Sequence, residues 1–446
     1  MAAGSCGNKR VWMEEVEKTL HEAEAWMELT QWERRCIYRV PASIKDRNPQ
    51  AYRPRVVSLG PFHHGDEQLL PMEEHKRRAL RHLLRRAKKP LADFAAAVEE
   101  VMEQLQSAYL DLDKKWLDVD GREKFLEMMI MDGCFQLEVM RATAISELNR
   151  GQVNDYAPND SIFSRHGVLY RVPYIRGDML MIENQLPLLL LKNLLAVEQS
   201  ETPADHVVNR LVLKFLSPSS RMPPTAISLG LHPLDVYRRS MLYGVYQRPL
   251  AFPDAPETDM IRSAAELYEA GIRLKKSSTE SLHDIRFRHG VLKLPAVRVD
   301  DSTTELVLLN LIAFELLHVG AGNDVTAYAF FMNSIVRSAR DVALLSSQGI
   351  ILNLVGSDEA VVDLFHSISK DAVLEPDGVI TSVQRQVNAH CQKPWNTWRA
   401  NIIRNYFRSP TSFINFVAAT IVLLMTIVQT VYAIVSFHST GQDKNS

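Results

Sequence analysis

The sequence predicts a mainly α-helical protein: a multi-helix globular domain with room for two lobes, a small β-hairpin and one C-terminal transmembrane helix. Three observations carry that expectation. Residues 413–437 (FINFVAATIVLLMTIVQTVYAIVSF) contain no charge. Elsewhere apolar residues recur at spacings of three and four over helix-length segments. The chain is 446 residues long, 46% hydrophobic and 23% charged, which is globular in balance and more than one ordinary core requires.

Residues 1–36 read as an amphipathic helix, with Trp12, Val16, Leu20, Ala23, Trp26 and Met27 along one side. They hold no apolar stretch long enough for a signal peptide, so entry into the secretory pathway is not expected. Residues 37–395 read as a helical cytosolic domain. Its first stretch, Ile37 to Gly65, is punctuated by Pro and Gly and reads as an extended loop with turns.

A helix follows over Met72–Lys89, with Arg77, Arg81, Arg85 and Lys88 in one stripe and Leu80, Leu83, Leu84 and Ala87 in another. The basic stripe is expected to be a solvated face or to pair with the acidic residues that come next (Glu99, Glu100, Glu103, Asp111, Asp113), rather than to serve as a nuclear signal or lipid surface. In the helix Glu123–Arg141, steps of 100° put Lys124, Glu127, Glu138 and Arg141 on the outer side and Phe125, Met128, Met129, Val139 and Met140 on the inner one. Asp132 and Gln136 fall within the apolar side, where a carboxylate must find a cation or several donors.

In Arg176–Leu195, Asp178 reads as an N-cap, and Pro187 restarts the helix after the polar triplet Glu183-Asn184-Gln185. Seven of the 21 prolines lie between Pro218 and Pro256, so residues 218–256 are expected to be a loop-rich connection. A helix over Ile261–Leu274 comes next, then a hairpin turning at His289-Gly290. Thr304–Leu317 is apolar nearly all round, as a central core helix would be, and helices over about 324–345 and 358–369 close the domain.

Residues 396–412 form a basic, aromatic juxtamembrane segment before the 413–437 span, and 438–446 a short tail. A helix of that span is about 37 Å long, enough to cross a hydrocarbon core of about 30 Å. Lys393, Arg399, Arg404 and Arg408 precede it, whereas only Lys444 follows, so the large N-terminal part is expected in the cytosol. The arrangement is that of a tail-anchored, single-pass protein, and the span length suits the plasma membrane better than the endoplasmic reticulum.

Charge and cysteine content narrow the chemistry. Lys plus Arg is 51 against 53 for Asp plus Glu, without the basic excess of a nucleic-acid binder. Cys6, Cys36, Cys134 and Cys391 are too scattered for a disulfide framework or zinc site. The nucleophile elbow, P-loop, dinucleotide fingerprint and H-E-x-x-H motif are all absent, and no cofactor is expected. His63-His64 with Asp66, Glu73, Glu74 and His75 is the nearest metal candidate, but the spacing matches no standard site. Asp118, Asp120, Gly121 and Glu127 match part of a calcium loop, with Trp116 where the first carboxylate belongs. Cys134 reads as a packed thiol.

Several segments form an ordered set: Y-R-V-P at Tyr38–Pro41, A-Y-R-P at Ala51–Pro54, V-S-L-G-P-F-H-H-G at Val57–Gly65 and M-E-E-H-K at Met72–Lys76. M-D-G-C-F at Met131–Phe135, E-N-Q-L-P at Glu183–Pro187, A-G-I at Ala270–Ile272 and N-L-I-A-F-E at Asn310–Glu315 continue it, ahead of the hydrophobic tail. The set resembles the plant family catalogued as domain of unknown function 247, from Ile37 to Phe437. The resemblance implies a plant protein with a helical cytosolic-type domain and a C-terminal membrane helix, and no established reaction, substrate or cofactor. Some grass members are linked to pollen–stigma self-incompatibility, which implies recognition. Leu316 departs from the Gln common at that position, and the family has no agreed catalytic residues to carry over.

The expected function is a membrane-anchored module for protein interaction or signalling, with protein partners, a membrane contact through 413–437 and no nucleic acid. Lys76, Asp132, Gln136, Glu183, Asn184 and Gln185 are expected to meet near the His63-His64 loop as one buried polar network that specifies how the helices dock. The alternative is a hydrolase or metal-dependent enzyme using the His63–His75 region with Asp132. A third reading is a structural adaptor whose tail dimerises through Thr and Gln contacts.

Overall fold

Apolar periodicity becomes helix over most of the chain. The computed structural model describes Met13 and residues 35–148, 155–217, 228–244, 261–300, 303–369, 378–395 and 410–442. The expected N-terminal helix over 1–36 and the juxtamembrane residues 396–409 therefore fall almost wholly outside the described residues.

After the short α1 (Ala42–Lys45), helix α2 runs from Pro71 to Ala87. Pro71 occupies the first turn, Glu73 and Glu74 face the positive end of the dipole, and Arg85 and Arg86 lie at the negative end. Helices α3 (Leu91–Glu99) and α4 (Met102–Ser107) lead to α5 (Val119–Leu148), against which α2 and α8 (Leu188–Gln199) pack. Burial on nearly every face from Phe125 to Met140 makes α5 the axis of this half. The approach of α8 is close: a Cβ at Gly133 would stand 2.4 Å from Leu194 Cδ1.

Helices α6 (Arg165–Tyr170) and α7 (Val172–Asp178) precede α8, which restarts at Pro187, and α9 (Asp205–Leu216) follows. Next come α10 (Pro233–Leu242) and α11 (Ala264–Glu269), the latter opened by a capping box of Ser263 and Glu266. Strands β2 (Arg286–Arg288) and β3 (Val291–Leu294) form the expected hairpin, and β1 (Arg273–Lys276) joins β3 in parallel. His289 and Gly290 both have positive φ (50° and 72°), as a two-residue turn matched to strand twist requires. Strand β4 (Val297–Val299) pairs in parallel with β5 (Ile351–Asn353).

The second half is built on α12 (Thr304–Leu317), with α13 (Asp324–Ile335), α14 (Ala339–Ser347), α15 (Asp358–Ile368) and α16 (Val379–Cys391). Ser357 caps α15 by accepting from the Ala360 N–H. Buried apolar side chains from Cys36 to Cys391 form one contiguous cluster. Helix α17 (Pro410–Gln442) ends the described chain; its segment Val417–Ile434 is long and apolar enough to cross a membrane, and none of it is buried against the rest of the protein.

Several expectations need correction. Part of the proline-rich connection is helical: Pro233 starts α10 instead of breaking it. The Ile261–Leu274 helix stops at Glu269, because Gly271 (φ 91°) turns the chain into β1. The 324–345 helix is two helices, parted at residues 336–338. Asp178 is the last residue of α7, not an N-cap. Glu138 is fully buried, and the stripe of Arg77, Arg81, Arg85 and Lys88 is an exposed face, whereas Arg78 and Arg86, off that stripe, pair with acids on α5, α8 and residues 155–160.

Candidate functional site

Residues 36–65 pose a bookkeeping problem. Prolines 41, 49, 54 and 61 deny this strap a regular ladder, and it forms α1, a 3-10 turn at Pro49–Tyr52 and a single bridge from Ile37 to Tyr109. Yet Ile37, Tyr38, Val40, Ala51, Tyr52, Val57, Ser58 and Leu59 are buried. Buried N–H and C=O groups need partners; the backbone of Ala108 and Leu110 serves Cys36 and Ile37, and side chains supply many of the rest.

The partners come from α7, the turn after it, α5, α12 and the start of α10. Asp178, at the end of α7, accepts the N–H groups of Arg55, Val56 and Val57 at 2.9, 2.7 and 2.9 Å. In the turn between α7 and α8, Asn184 accepts from Leu59 N–H (2.7 Å) and donates to the carbonyls of Val57 and Asp178 (both 3.0 Å). Glu183 accepts from Val40 N–H (2.7 Å) and from Lys45 Nζ (2.6 Å), and His63 Nε2 lies 3.4 Å away. From α5, Asp132 Oδ2 accepts the Gly60 N–H at 2.8 Å while Oδ1 pairs with Lys76 Nζ at 2.6 Å. Lys76, with no exposed surface, also reaches Glu73 (2.6 Å) and Ser58 Oγ (3.2 Å). From α12, Asn310 donates to the Ala51 carbonyl (2.8 Å) and accepts from Ile182 N–H (2.9 Å). His232 Nε2 meets the Cys36 carbonyl at 3.0 Å.

Gln185 braces the turn that carries Asn184. It donates to the carbonyls of Met179 (2.6 Å) and Met181 (2.8 Å) and accepts from Leu234 N–H (3.0 Å). Its own carbonyl takes the Tyr109 hydroxyl at 3.0 Å. Gly60 passes beneath these groups with φ 77°, and a Cβ there would lie 2.8 Å from Tyr109 Oη and 2.9 Å from the Gln185 carbonyl.

Of the six residues expected to meet, five lie along residues 36–65: Lys76 pairs with Asp132, while Glu183, Asn184 and Gln185 form a separate group, with no direct hydrogen bond or ion pair between the two among the described residues. Gln136 is the exception: it is buried on α5, and neither amide atom has a hydrogen-bond partner among the described residues. Lys45, Asp178, Asn310 and His232 join instead. Asn310 was legible by the same reasoning as Asp132, being a lone amide in the middle of a helix that is apolar nearly all round. Of the juxtamembrane residues, Lys393 lies exposed beyond α16, while Arg399, Arg404 and Arg408 are outside the described residues.

Electrostatics agree with this geometry. Burial alone would lower the Lys76 ammonium, but Asp132 and Glu73 outweigh it and hold it above its ordinary value. Burial raises Asp132 against the pull of Lys76 and the Gly60 N–H. At Glu183 burial is overcome by His63, Lys45 and the Val40 N–H, which keep the carboxyl low. Asp178 is pushed up to about 6 by burial despite its three backbone donors. The charges are therefore spent on one another and on the strap's backbone.

The metal candidates disperse in the fold. His63 Nδ1 faces Asp66 at 3.3 Å, His75 Nδ1 meets Arg78 at 2.9 Å, and Glu73 goes to Lys76. Among the described residues no group of three or more His, Cys, Asp or Glu side chains is placed to hold a metal. Asp118 accepts the Gly121 N–H at 2.6 Å, an N-terminal cap for α5 rather than a calcium ligand. The Cys134 thiol is enclosed, and burial raises its pKa.

A second polar cluster binds α2 to α5 and α8. Glu138 pairs with Arg86, with Arg141 at 3.2 Å and with the Tyr156 hydroxyl at 2.7 Å, and Arg86 also reaches Glu198 at 3.0 Å. Arg78 pairs with Asp160.

Fold and site together define a helical domain in which buried polar side chains hold an irregular N-terminal strap, followed by one apolar C-terminal helix. The chain belongs to the family catalogued as domain of unknown function 247, described as a plant protein of unknown function, whose model matches residues 37–425, from the start of the strap into α17. It is similar to two Arabidopsis thaliana proteins. One, named UPF0481 protein At3g47200, is 29% identical over 432 residues, covering 90% of this chain and 87% of that one. The other, named putative UPF0481 protein At3g02645, is 21% identical over 493 residues, covering 88% and 89%. No solved structure matches the chain.

Proposed function

We propose that this protein is a membrane-tethered interaction module: α17 anchors it, and the helical domain meets protein partners on the cytosolic side. The observation that carries the reading is the Val417–Ile434 segment, apolar and unburied by its own protein. An apolar surface of that size needs a hydrocarbon environment or a partner. The hydroxyls of Thr426 and Thr430 bond back to the carbonyls of Val422 and Thr426 (both 2.8 Å), which removes a cost of insertion. Lys393, Arg399, Arg404 and Arg408 before the span, against Lys444 after it, favour a cytosolic domain. Tethering raises the domain's local concentration near membrane-bound partners without any chemical step. The span's length favours the plasma membrane.

The enzymatic alternative would require Asp132 or the His63–His75 region to meet a substrate. Asp132 is 1% exposed, with both oxygens engaged by Lys76 and Gly60, so the geometry favours the interaction module. The test is proximity labelling in plant cells with the labelling enzyme at the N-terminus, comparing the full chain with one ending before Phe413. A compact set of cytosol-facing membrane proteins, lost on truncation, is expected. Labelling of lumenal or extracellular proteins would reverse the orientation, and labelling unaffected by truncation would remove the tether.

A further inference from the structure

One side of α12 lines a cavity of about 590 Å³. Its walls are Ile44 and Tyr52 from the strap, Leu309, Ile312 and Leu316 from α12, and Ile368 from the end of α15. Glu305, Leu309, Ile312 and Leu316 follow helical spacing, so α12 presents a carboxylate at one end of an apolar stripe. The volume lies in the range of small-molecule sites, which join apolar walls to a few fixed polar groups.

The two acids in this lining differ. Glu315 is saturated: Arg238 binds it at 2.7 Å, and it caps α13 by accepting from Val325 N–H (3.0 Å), Thr326 N–H (2.8 Å) and the Thr326 hydroxyl (2.7 Å). Glu305 is held by one oxygen only. Asn48 Nδ2 (3.2 Å) and Ser367 Oγ (2.8 Å) both approach Oε1, while Oε2 has no hydrogen-bond or ion-pair partner among the described residues. Two anchors thus hold a half-buried carboxylate of the cavity lining by one oxygen and leave the other without a partner among the described residues.

We propose that this cavity binds a small organic cation, a protonated amine on an apolar body, with the ammonium on Glu305 and the body against Leu309, Ile312 and Ile368. The chemistry sets the class. An ammonium matches an oriented carboxylate with a spare oxygen, and the apolar walls offer a hydrocarbon body better surroundings than water. Arg47, also at the lining, would favour an anion, and the test includes that case. Because the strap supplies Ile44, Asn48 and Tyr52, a bound ligand would touch the segment that the buried polar side chains hold. The inference does not depend on the tether.

The test uses the full chain in lipid nanodiscs, with isoleucine methyls labelled for NMR and empty nanodiscs as the control for partitioning. Phenethylamine is titrated beside 2-phenylethanol, which is neutral, and 3-phenylpropionate, which is anionic. Saturable shifts of the Ile44, Ile312 and Ile368 methyls are expected with phenethylamine, at an affinity about tenfold or more above that for the alcohol. Glu305→Gln should remove that advantage, so that the amine binds no more tightly than the alcohol. Ala313→Leu, which fills the cavity floor, should abolish saturation by both. Three results would overturn the proposal: no saturable amine shift, 3-phenylpropionate binding as tightly as the amine, or Glu305→Gln leaving amine affinity intact. The amine–alcohol comparison on the unaltered chain reads the charge preference even where a variant folds poorly.

Discussion

Replacing Asp132 with leucine tests whether the strap is clasped as described. The change removes the carboxylate 2.6 Å from Lys76 Nζ and the acceptor 2.8 Å from the Gly60 N–H. Lys76 keeps Glu73, whose side chain is 22% exposed, so its charge is not stranded completely. Breaking a buried pair costs about 3–5 kcal/mol, and the remaining Glu73 places the Lys76 contribution toward the lower end. An unsatisfied buried N–H at Gly60 adds about 1–3 kcal/mol. The single variant should therefore lose about 4 kcal/mol, as the sum of these two terms. Adding Lys76→Met removes the stranded charge and should recover about 2 kcal/mol, leaving chiefly the Gly60 cost. Urea unfolding of the full chain in mild detergent reads these differences through tryptophan fluorescence, since Trp116 is buried beside Phe125. A single variant that loses less than about 1 kcal/mol, or a double variant no more stable than the single, would refute the buried-pair account.

Gly60→Ala should cost more than about 2 kcal/mol, because it combines φ 77° with Cβ contacts of 2.8 and 2.9 Å. Gly65→Ala, at φ 91° with nothing within 4 Å, should cost about 1 kcal/mol; equal losses in urea melts would remove the close-approach argument. Asn310→Leu leaves Ala51 C=O and Ile182 N–H unpaired, so a loss of about 2–4 kcal/mol is expected, and a neutral result would show that the strap relaxes freely. His232 gives a pH dependence: burial, against the pull of Asp235, lowers its imidazole from 6.5 to about 4. The unfolded chain then takes up a proton near 6.5 that the folded chain refuses until about 4, so this stability is complete above 6.5 and lost as pH falls toward 4. Asp178, raised to about 6, works in the opposite sense, its burden being relieved as pH falls. Comparison with His232→Gln separates the two: the gap between unaltered protein and variant should shrink by about 2.5 kcal/mol between about pH 7.5 and 4.5, and a constant gap would contradict the shift.

Much of the local structure was legible. The α12 boundaries, Thr304–Leu317, match the apolar run, and the hairpin turn falls where His289-Gly290 places it. The misses have a common cause: local rules describe one element, whereas packing involves two. A helical projection puts Glu138 outside because it contains only α5, yet Arg86 arrives from α2 and encloses it. Asp178 has the residue type of an N-cap, but its acceptors are used by residues more than a hundred positions earlier. Gly271 lay inside an apparently helical pattern, and only its positive φ shows it as the turn into β1.

Composition also explains why the clasp could be mistaken for an active site. A Lys–Asp pair, a His–Glu pair and adjacent histidines are the groups from which general acids, bases and metal sites are made. The distinction lies in the lone pairs. A catalytic carboxylate must keep one available for substrate, but Asp132 gives one oxygen to Lys76 and the other to Gly60. Glu183 divides its oxygens between Val40 and Lys45, and Asp178 divides its own among three backbone N–H groups. Each substitutes for part of the ladder that the prolines deny the strap, which is why polar side chains lie so deep in apolar helices. Glu305 follows the other pattern. It lines a cavity and its Oε2 has no partner among the described residues, so a search for binding chemistry belongs beside α12 rather than at the buried pair that joins α2 to α5.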